Sequence, residues 1–294
     1  MNEEQFAGFM YLDVDDPLVA WNTYRGCVIS ASQVHKNGFP NALSVSCARH
    51  LRDRFLNRFA TEITLDRLRA TEFPAAISRL TGLFVFADPD SALNAADASW
   101  GGHIENTYLT DVGVQSKKRT VVDANWIPQL MDDDDSLATD WQDMARLYWS
   151  GQPFPGTNPP IWESIVDGSA TIWGLDLRQR AYSTLQRSQP KSLSMLEVAR
   201  AAAHVGSDFG HVSACLVLKG NAITVSYTMD ARDGSSDSFL AKLEEVKKNH
   251  PDQINWQDLR ALSQPGEARF LDLRAYTQTI ALKDISLNPQ ASRL

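Results

Sequence analysis

The sequence predicts an α+β fold, with β-strands and flanking helices. Short apolar or β-branched runs predict strands, and segments whose apolar residues recur every three to four positions predict helices. Glycine- and proline-rich stretches between these segments predict turns and loops. With 294 residues, 43% of them hydrophobic, the chain can bury one large core or two modest ones.

Composition narrows the class of protein further. The net charge of −8 favours solubility and gives no overall attraction to nucleic acid or to an anionic membrane. The three cysteines are odd in number and lack CxxC or metal-ligand spacing, which fits a reduced, intracellular setting and predicts no metal site. Neither a signal peptide nor an apolar stretch of about 18 residues is visible. We therefore expect a cytoplasmic protein that does not bind membranes, acting in its own cell or delivered into a target cell.

The first third of the chain is predicted to contain a lead-in, a strand and two helices: lead-in 1–20, strand 21–29 and helices 43–59 and 64–73. In the first helix Leu51, Phe55 and Phe59 recur every four residues. In the second, Leu65 and Leu68 share one face, and a proline follows the helix.

The middle of the chain reads as strands, helices and one long loop. A strand at 80–87 precedes Asp88, which is a plausible N-cap for a helix that begins at Pro89. The remaining elements are strands 106–114 and 120–123, a helix 138–149, the loop 151–160, and strands 162–166 and 170–175 joined by a turn at Gly168.

After a boundary near residue 190, the pattern predicts a second α+β unit. Its elements are a helix 192–204, strands 212–218 and 222–228, and a helix 237–249. We predict a catalytic domain over 1–190 and a C-terminal α+β extension over 191–294, which could equally complete the same domain.

Three separated segments carry the residues that predict function. The first is Thr23-Tyr24-Arg25-Gly26, followed by Gly38-Phe39. An arginine at a strand end can present its planar fork to a diphosphate or a ribose, although an ion-paired surface arginine would have the same sequence.

The second segment is Gly82-Leu83-Phe84-Val85-Phe86-Ala87-Asp88, preceded by Ser78, Arg79 and Thr81. The third is Pro160-Ile161-Trp162-Glu163-Ser164-Ile165-Val166, which the proline-rich loop delivers into a strand. Each of these two segments also fits an ordinary strand, with Glu163 as an edge charge, but their order along the chain favours a shared site.

In this order the three segments resemble ADP-ribosyltransferases, the bacterial toxins in the first segment and the poly-ADP-ribose polymerase branch in the second. The resemblance covers about residues 21–180 and implies a split antiparallel sheet whose central cleft binds NAD as a substrate. It implies that Glu163 and Arg25 are catalytic. The residues that it places against NAD are Arg25, Gly26, Ser78, Arg79, Thr81, Gly82 and Phe84, and the aromatic ring of Tyr148 could also stack on nicotinamide or on the acceptor.

The resemblance implies transfer of ADP-ribose from NAD to a macromolecule, with loss of nicotinamide. Glu163 would stabilise the positive charge that develops on the ribose as the glycosidic bond breaks. An NAD glycohydrolase and a catalytically inactive binding module of the same fold are the alternatives. A toxin, a secreted effector or a phage-conflict protein would fit such an enzyme, with an antitoxin or immunity protein as its partner.

Two features predict the acceptor: one position at which this chain departs from the family pattern, and a group of basic residues. Arginine-modifying members carry Glu or Gln two residues before the catalytic Glu, where this chain has Ile161. A group of basic residues could steer a phosphodiester toward the cleft. They are Arg49, Arg52, Arg58, Arg67, Arg69, Lys117, Lys118 and Arg119. DNA or RNA is therefore slightly favoured over protein as the acceptor.

Overall fold

The computed structural model describes residues 3–36, 41–98, 104–249 and 271–285. The strands in these ranges are β1 (Glu4–Tyr11), β2 (Cys27–Ile29), β3 (Ala42–Leu43), β4 (Leu83–Phe86), β5 (Leu109–Asp123), β6 (Trp162–Ile172), β7 (Val212–Lys219), β8 (Ala222–Met229) and β9 (Gln278–Ala281). The helices are α1 (Pro17–Arg25), α2 (Ala31–Lys36), α3 (Val45–Arg52), α4 (Leu56–Glu72), α5 (Pro89–Asp97), α6 (Trp126–Gln129), α7 (Trp141–Trp149), α8 (Leu175–Ser188), α9 (Leu193–His204) and α10 (Asp237–Asn249).

The first sheet is antiparallel and its pairings close into a ring. Its strands follow the order β2-β6-β4-β1-β5, and β5 pairs in turn with β6. β5 runs along one side of β6 over nearly its whole length, so β4 and β2 must share the other side. On that side, β4 pairs with the first half of β6 and β2 pairs with the second half. The two short strands therefore lie one after the other along the same edge of β6.

The second sheet contains strands from both sides of residue 190. Its order is β3-β7-β8-β9, so residues 42–43 pair with residues 214–215. A single apolar cluster holds side chains from Met10 to Ile285. The fold is therefore α+β with two antiparallel sheets and flanking helices, while the predicted division into 1–190 and 191–294 stays a prediction.

The predicted N-terminal strand is wrong over most of its length. The lead-in contains β1, and residues 17–25 form helix α1, because Asp16 accepts a hydrogen bond from Leu18 N and a proline follows it at the first helical position. The helix ends at Gly26, whose φ of 97° lies in the left-handed region that glycine adopts without strain. Only residues 27–29 are extended.

The predicted helix 43–59 is also wrong as a single element. It begins after the short strand β3, breaks after Arg52 and resumes as α4, which includes the second predicted helix. Arg54 has a φ of 63°, a left-handed conformation that an α-helix cannot contain.

Other predicted elements are confirmed with shifted ends. β4, β7, β8, α7, α9 and α10 form where expected, and Asp88 caps α5 by accepting a hydrogen bond from Ser91 N. The two predicted strand pairs, 106–114 with 120–123 and 162–166 with 170–175, are instead the long continuous strands β5 and β6. Helix α8 has no predicted counterpart. No helix in the described ranges is long and apolar enough to cross a membrane.

Candidate functional site

Four polar side chains from distant parts of the chain meet on one face of the first sheet. They are Glu62 on α4, Arg79 on the loop before β4, Tyr148 on α7 and Glu163 at the start of β6, and we call them the Arg79 cluster. Arg79 and Tyr148 are two of the residues predicted to contact NAD, and Glu163 is the predicted catalytic carboxylate. Phe84, a third residue predicted to contact NAD, lies beneath the Arg79 guanidinium, with its ring centroid 4.8 Å from the Arg79 Cζ.

Arg79 is the centre of the cluster. Its Nε donates to Glu62 Oε2 at 2.9 Å and its Nη2 donates to Glu62 Oε1 at 3.2 Å, so the two side chains form a bidentate ion pair. Nη1 donates to Glu163 Oε2 at 3.2 Å and to the Tyr148 hydroxyl at 2.8 Å. One guanidinium thus holds two carboxylates and a phenol.

The pKa values of the two carboxyl groups are shifted in opposite directions. Burial alone would raise the pKa of Glu62, but Arg79 and Arg58 outweigh it and lower that pKa to about 2. Burial raises the pKa of Glu163, and the single contact with Arg79 opposes this rise without cancelling it. Glu62 is therefore the principal partner of Arg79, while Glu163 is the carboxyl whose proton affinity is increased.

A tight turn before β4 positions Arg79. Gly82 N and Thr81 N both donate to Ser78 O, and the Ser78 hydroxyl accepts from Leu80 N. A Cβ at Gly82 would lie 2.4 Å from Ile165 Cγ2, so only glycine permits this close approach to β6. Ser78, Thr81 and Gly82, which were predicted to line a nicotinamide pocket, build the loop that carries Arg79.

Asp123, which the sequence analysis missed, fixes the chain that leads into Glu163. It is fully buried at the end of β5, and it accepts hydrogen bonds from the backbone N–H groups of Phe154 and Ile161 at 2.8 and 2.9 Å. Ile161 packs in an apolar cluster with Phe86. The only sequence signal for this role is an aspartate at a strand end, which is common at turns.

Arg25 and Gly26 lie elsewhere. The Arg25 side chain is 2% exposed and donates to the carbonyl oxygens of Phe209, Cys27 and Ser207 at 3.2, 3.0 and 2.5 Å. Its donors thus join α1 to the loop before β7. The Gly38-Phe39 part of the first segment lies outside the described residues.

The structure does not bring Arg25 to Glu163. The strand that follows Arg25 pairs with β6 at Thr171, eight residues from Glu163, which corresponds to roughly 25 Å along an extended strand. Arg25 and Gly26 line a cavity at that far end, and Glu163 lines neither that cavity nor a second, smaller one beside His211. The described residues contain no group of His, Cys, Asp or Glu suited to a metal ion.

The basic residues predicted to steer a nucleic acid are largely neutralised. Arg49 pairs with Asp13 and Asp53, and Arg52 pairs with Asp16. The other ion pairs of this group are Arg58–Glu62, Arg69–Asp66 and Arg119–Glu4. These pairs leave little net positive potential on α3 and α4.

No protein-family model matches this chain, and the comparison with curated proteins gave no match. A function must therefore be inferred from the fold class and from the contacts within the Arg79 cluster.

Proposed function

We propose that the protein is an NAD-dependent ADP-ribosyltransferase and that Glu163 is its catalytic carboxylate. One observation supports this most: Arg79, Phe84 and Glu163, which the resemblance assigns to an NAD site, converge with Tyr148, the predicted stacking aromatic, although up to 84 residues separate them in sequence. A buried carboxyl with a raised pKa beside a specific cation is also typical of functional sites.

In this proposal NAD loses nicotinamide when the bond between the ribose carbon and the pyridinium nitrogen breaks. The bonding electrons leave with nicotinamide, and positive charge develops on the ribose. The ionised Glu163 stabilises that charge, and the acceptor then attacks the ribose carbon and releases a proton. Arg79 acts as a positioning residue, because its Nη1 holds both Glu163 and the Tyr148 hydroxyl.

A catalytically inactive binding module is the second candidate, and the burial of Glu163 favours it. The Glu163 side chain is 11% exposed and the Arg79 side chain 10%. With Glu163 outside both cavities described above, the cluster also has the character of an internal ion-pair network that fixes α4 and α7 on the sheet.

The acceptor stays a proposal as well. The proposal that DNA or RNA is the acceptor depends on Lys117 and Lys118, which are exposed on β5, because most of the arginines in the basic group form ion pairs. The argument against arginine acceptors rests on Ile161, which is buried and supplies no carboxylate or amide. A role as toxin, effector or phage-conflict protein depends entirely on the proposed activity.

Incubation of the full chain with NAD labelled in its adenylate part tests these candidates. Label recovered in DNA, RNA or protein supports the transferase and identifies the acceptor class. Nicotinamide release without label transfer would indicate an NAD glycohydrolase. Absence of both would leave the inactive module.

A further inference from the structure

A cavity of about 570 Å³ lies against the second half of β6, at the opposite end from Glu163. This volume is typical of sites for small molecules. β2, β5 and β6 form its floor, and α8, α9 and the loop after α9 form its walls. We call it the basic cavity after its charged residues, which are Arg25, Lys117, Arg178, Arg200, His204 and Asp208, with Glu3 at its edge.

The charge of the basic cavity is opposite to that of the whole chain. Four arginine and lysine side chains line it against two carboxylates, Glu3 and Asp208, and Arg200 also pairs with Glu197 at 2.9 Å, which gives 4 − 3 = +1 with histidine neutral. The protein carries −8. Glu3 already accepts a hydrogen bond from the Gln115 amide at 2.6 Å. An anion therefore meets a local positive field here despite the negative total.

Arg178 is the most informative residue of the cavity. Its guanidinium is half-buried and donates from Nη2 to Tyr24 O at 3.1 Å, but it forms no ion pair with a carboxylate of the described residues. Burial lowers its pKa and the neighbouring Arg200 lowers it further, while Tyr24 and Glu197 oppose this without cancelling it. A partly desolvated cation beside a second cation is costly unless an anion compensates it.

Gly26 makes room for this arrangement. A Cβ there would lie 3.0 Å from Arg178 Nη2 and 3.2 Å from Arg178 Cζ, so the guanidinium rests directly on the glycine backbone. Across the cavity, Lys117 donates one of its three hydrogens to Gln33 Oε1 at 2.7 Å. Arg178 and Lys117 thus approach the cavity from a helix and a strand.

We propose that the basic cavity binds the phosphate or diphosphate group of a small phosphorylated molecule, with Arg178 as its principal ligand. A guanidinium fork matches phosphate oxygens in pairs, and several cations around one cavity favour a group with more than one negative charge. The cavity shares no residue with the Arg79 cluster, although Lys117 is also one of the residues on which the proposed nucleic-acid acceptor depends.

Calorimetric titration of the full chain with inorganic pyrophosphate and with ADP tests the proposal. Both should bind, and Arg178→Gln should weaken them roughly 10- to 100-fold, the effect of losing one charged hydrogen-bonding group. Arg187→Gln, an exposed change on the same helix outside the cavity, should leave both affinities unchanged. Lys117→Gln on β5 gives a second variant with the same expected direction, should the first fail to fold.

Three outcomes would overturn the proposal. If Arg178→Gln and Lys117→Gln both bind pyrophosphate and ADP as tightly as the parent does, the basic cavity is not the phosphate site. Citrate binding as tightly as pyrophosphate would show a general anion site. Binding of a single-stranded oligonucleotide, with none of pyrophosphate or ADP, would assign the cavity to nucleic acid. A loss of NAD cleavage in Glu163→Gln bears on the transferase alone.

Discussion

At the scale of single residues, Arg79 has the largest effect on the candidate site, because it pairs with both of the site's carboxyl groups. Together with the neighbouring Arg58, Arg79 balances the carboxylates of Glu62 and Glu163. In a buried location that balance is what makes the charges tolerable, since an unpaired buried charge costs far more than a pair contributes.

Replacing Arg79 should therefore destabilise the protein strongly. Arg79→Gln leaves the buried Glu62 and Glu163 without their shared partner, and the free energy of unfolding should fall by about 3–5 kcal/mol. Arg146→Gln removes an exposed arginine that pairs with Glu72, and it should change stability little. Urea unfolding of both variants measures the difference. Equal losses would show that the cluster is not a buried network.

His211 should make stability depend on pH. It is buried, its Nε2 accepts from Ile29 N at 3.3 Å, and its Nδ1 lies 3.1 Å from the Ser213 hydroxyl. Burial, reinforced by Arg25 and opposed by Asp230, lowers its pKa from 6.5 to about 3. The unfolded state then binds the proton more tightly between these two pH values.

The stability that neutral His211 provides is thus complete above pH 6.5 and falls as the pH drops towards 3. The loss from this group should approach about 1.4 kcal/mol per pH unit. Urea unfolding at about pH 7, 6 and 5 should show a shallower pH dependence for His211→Gln than for the parent. The same slope in both proteins would contradict a buried, neutral histidine.

At the scale of elements, the break between α3 and α4 can be tested by the sign of the change in the free energy of unfolding when glycine is introduced. Arg54 is exposed and has a φ of 63°. Arg54→Gly should raise the free energy of unfolding by about 1 kcal/mol, because glycine adopts this conformation without strain. Arg67→Gly, at an exposed position inside α4, should lower it by about 1 kcal/mol. A decrease for both, measured by urea unfolding, would mean that one helix spans 43–59.

Elements with a local signal could be predicted from the sequence, and elements set by tertiary contacts could not. Asp88 followed by Pro89 predicts the start of α5, β7 follows from a short apolar run, and β8 follows from its apolar alternation. α1 was missed because its aromatic and β-branched residues favour a strand, whereas its buried face packs on α8 and α9.

The candidate site shows the same limit. Motif order brought Arg79 and Glu163 into one hypothesis, with Tyr148 added as an aromatic that could stack on nicotinamide or the acceptor, and the structure places the three side chains together. The motifs could not show that the Arg25 guanidinium donates hydrogen bonds to three backbone carbonyl oxygens. Those oxygens belong to residues up to 184 positions away in the sequence. Glu62 and Asp123 carried no motif, since a buried acid in a helix or at a strand end has no distinctive sequence.

At the scale of the whole molecule, β6 organises the fold. Its first half carries Glu163 beneath α4 and α7, and its second half forms part of the floor of the basic cavity. The fold thus separates a closed ion-pair network from an open, positively charged cavity on one continuous strand. The central claim is that the closed network cleaves NAD.

Nicotinamide release from NAD, followed across pH for the parent and for Glu163→Gln, tests that claim most directly. The parent should release nicotinamide with an acid limb above pH 4.5, because the raised pKa of Glu163 delays ionisation of the required carboxylate. Glu163→Gln should lose about 10²- to 10³-fold in rate while circular dichroism shows a retained fold. Glu244→Gln, an exposed change on α10, should match the parent. A folded Glu163→Gln with the parent's rate, or a parent that releases no nicotinamide, would contradict the account.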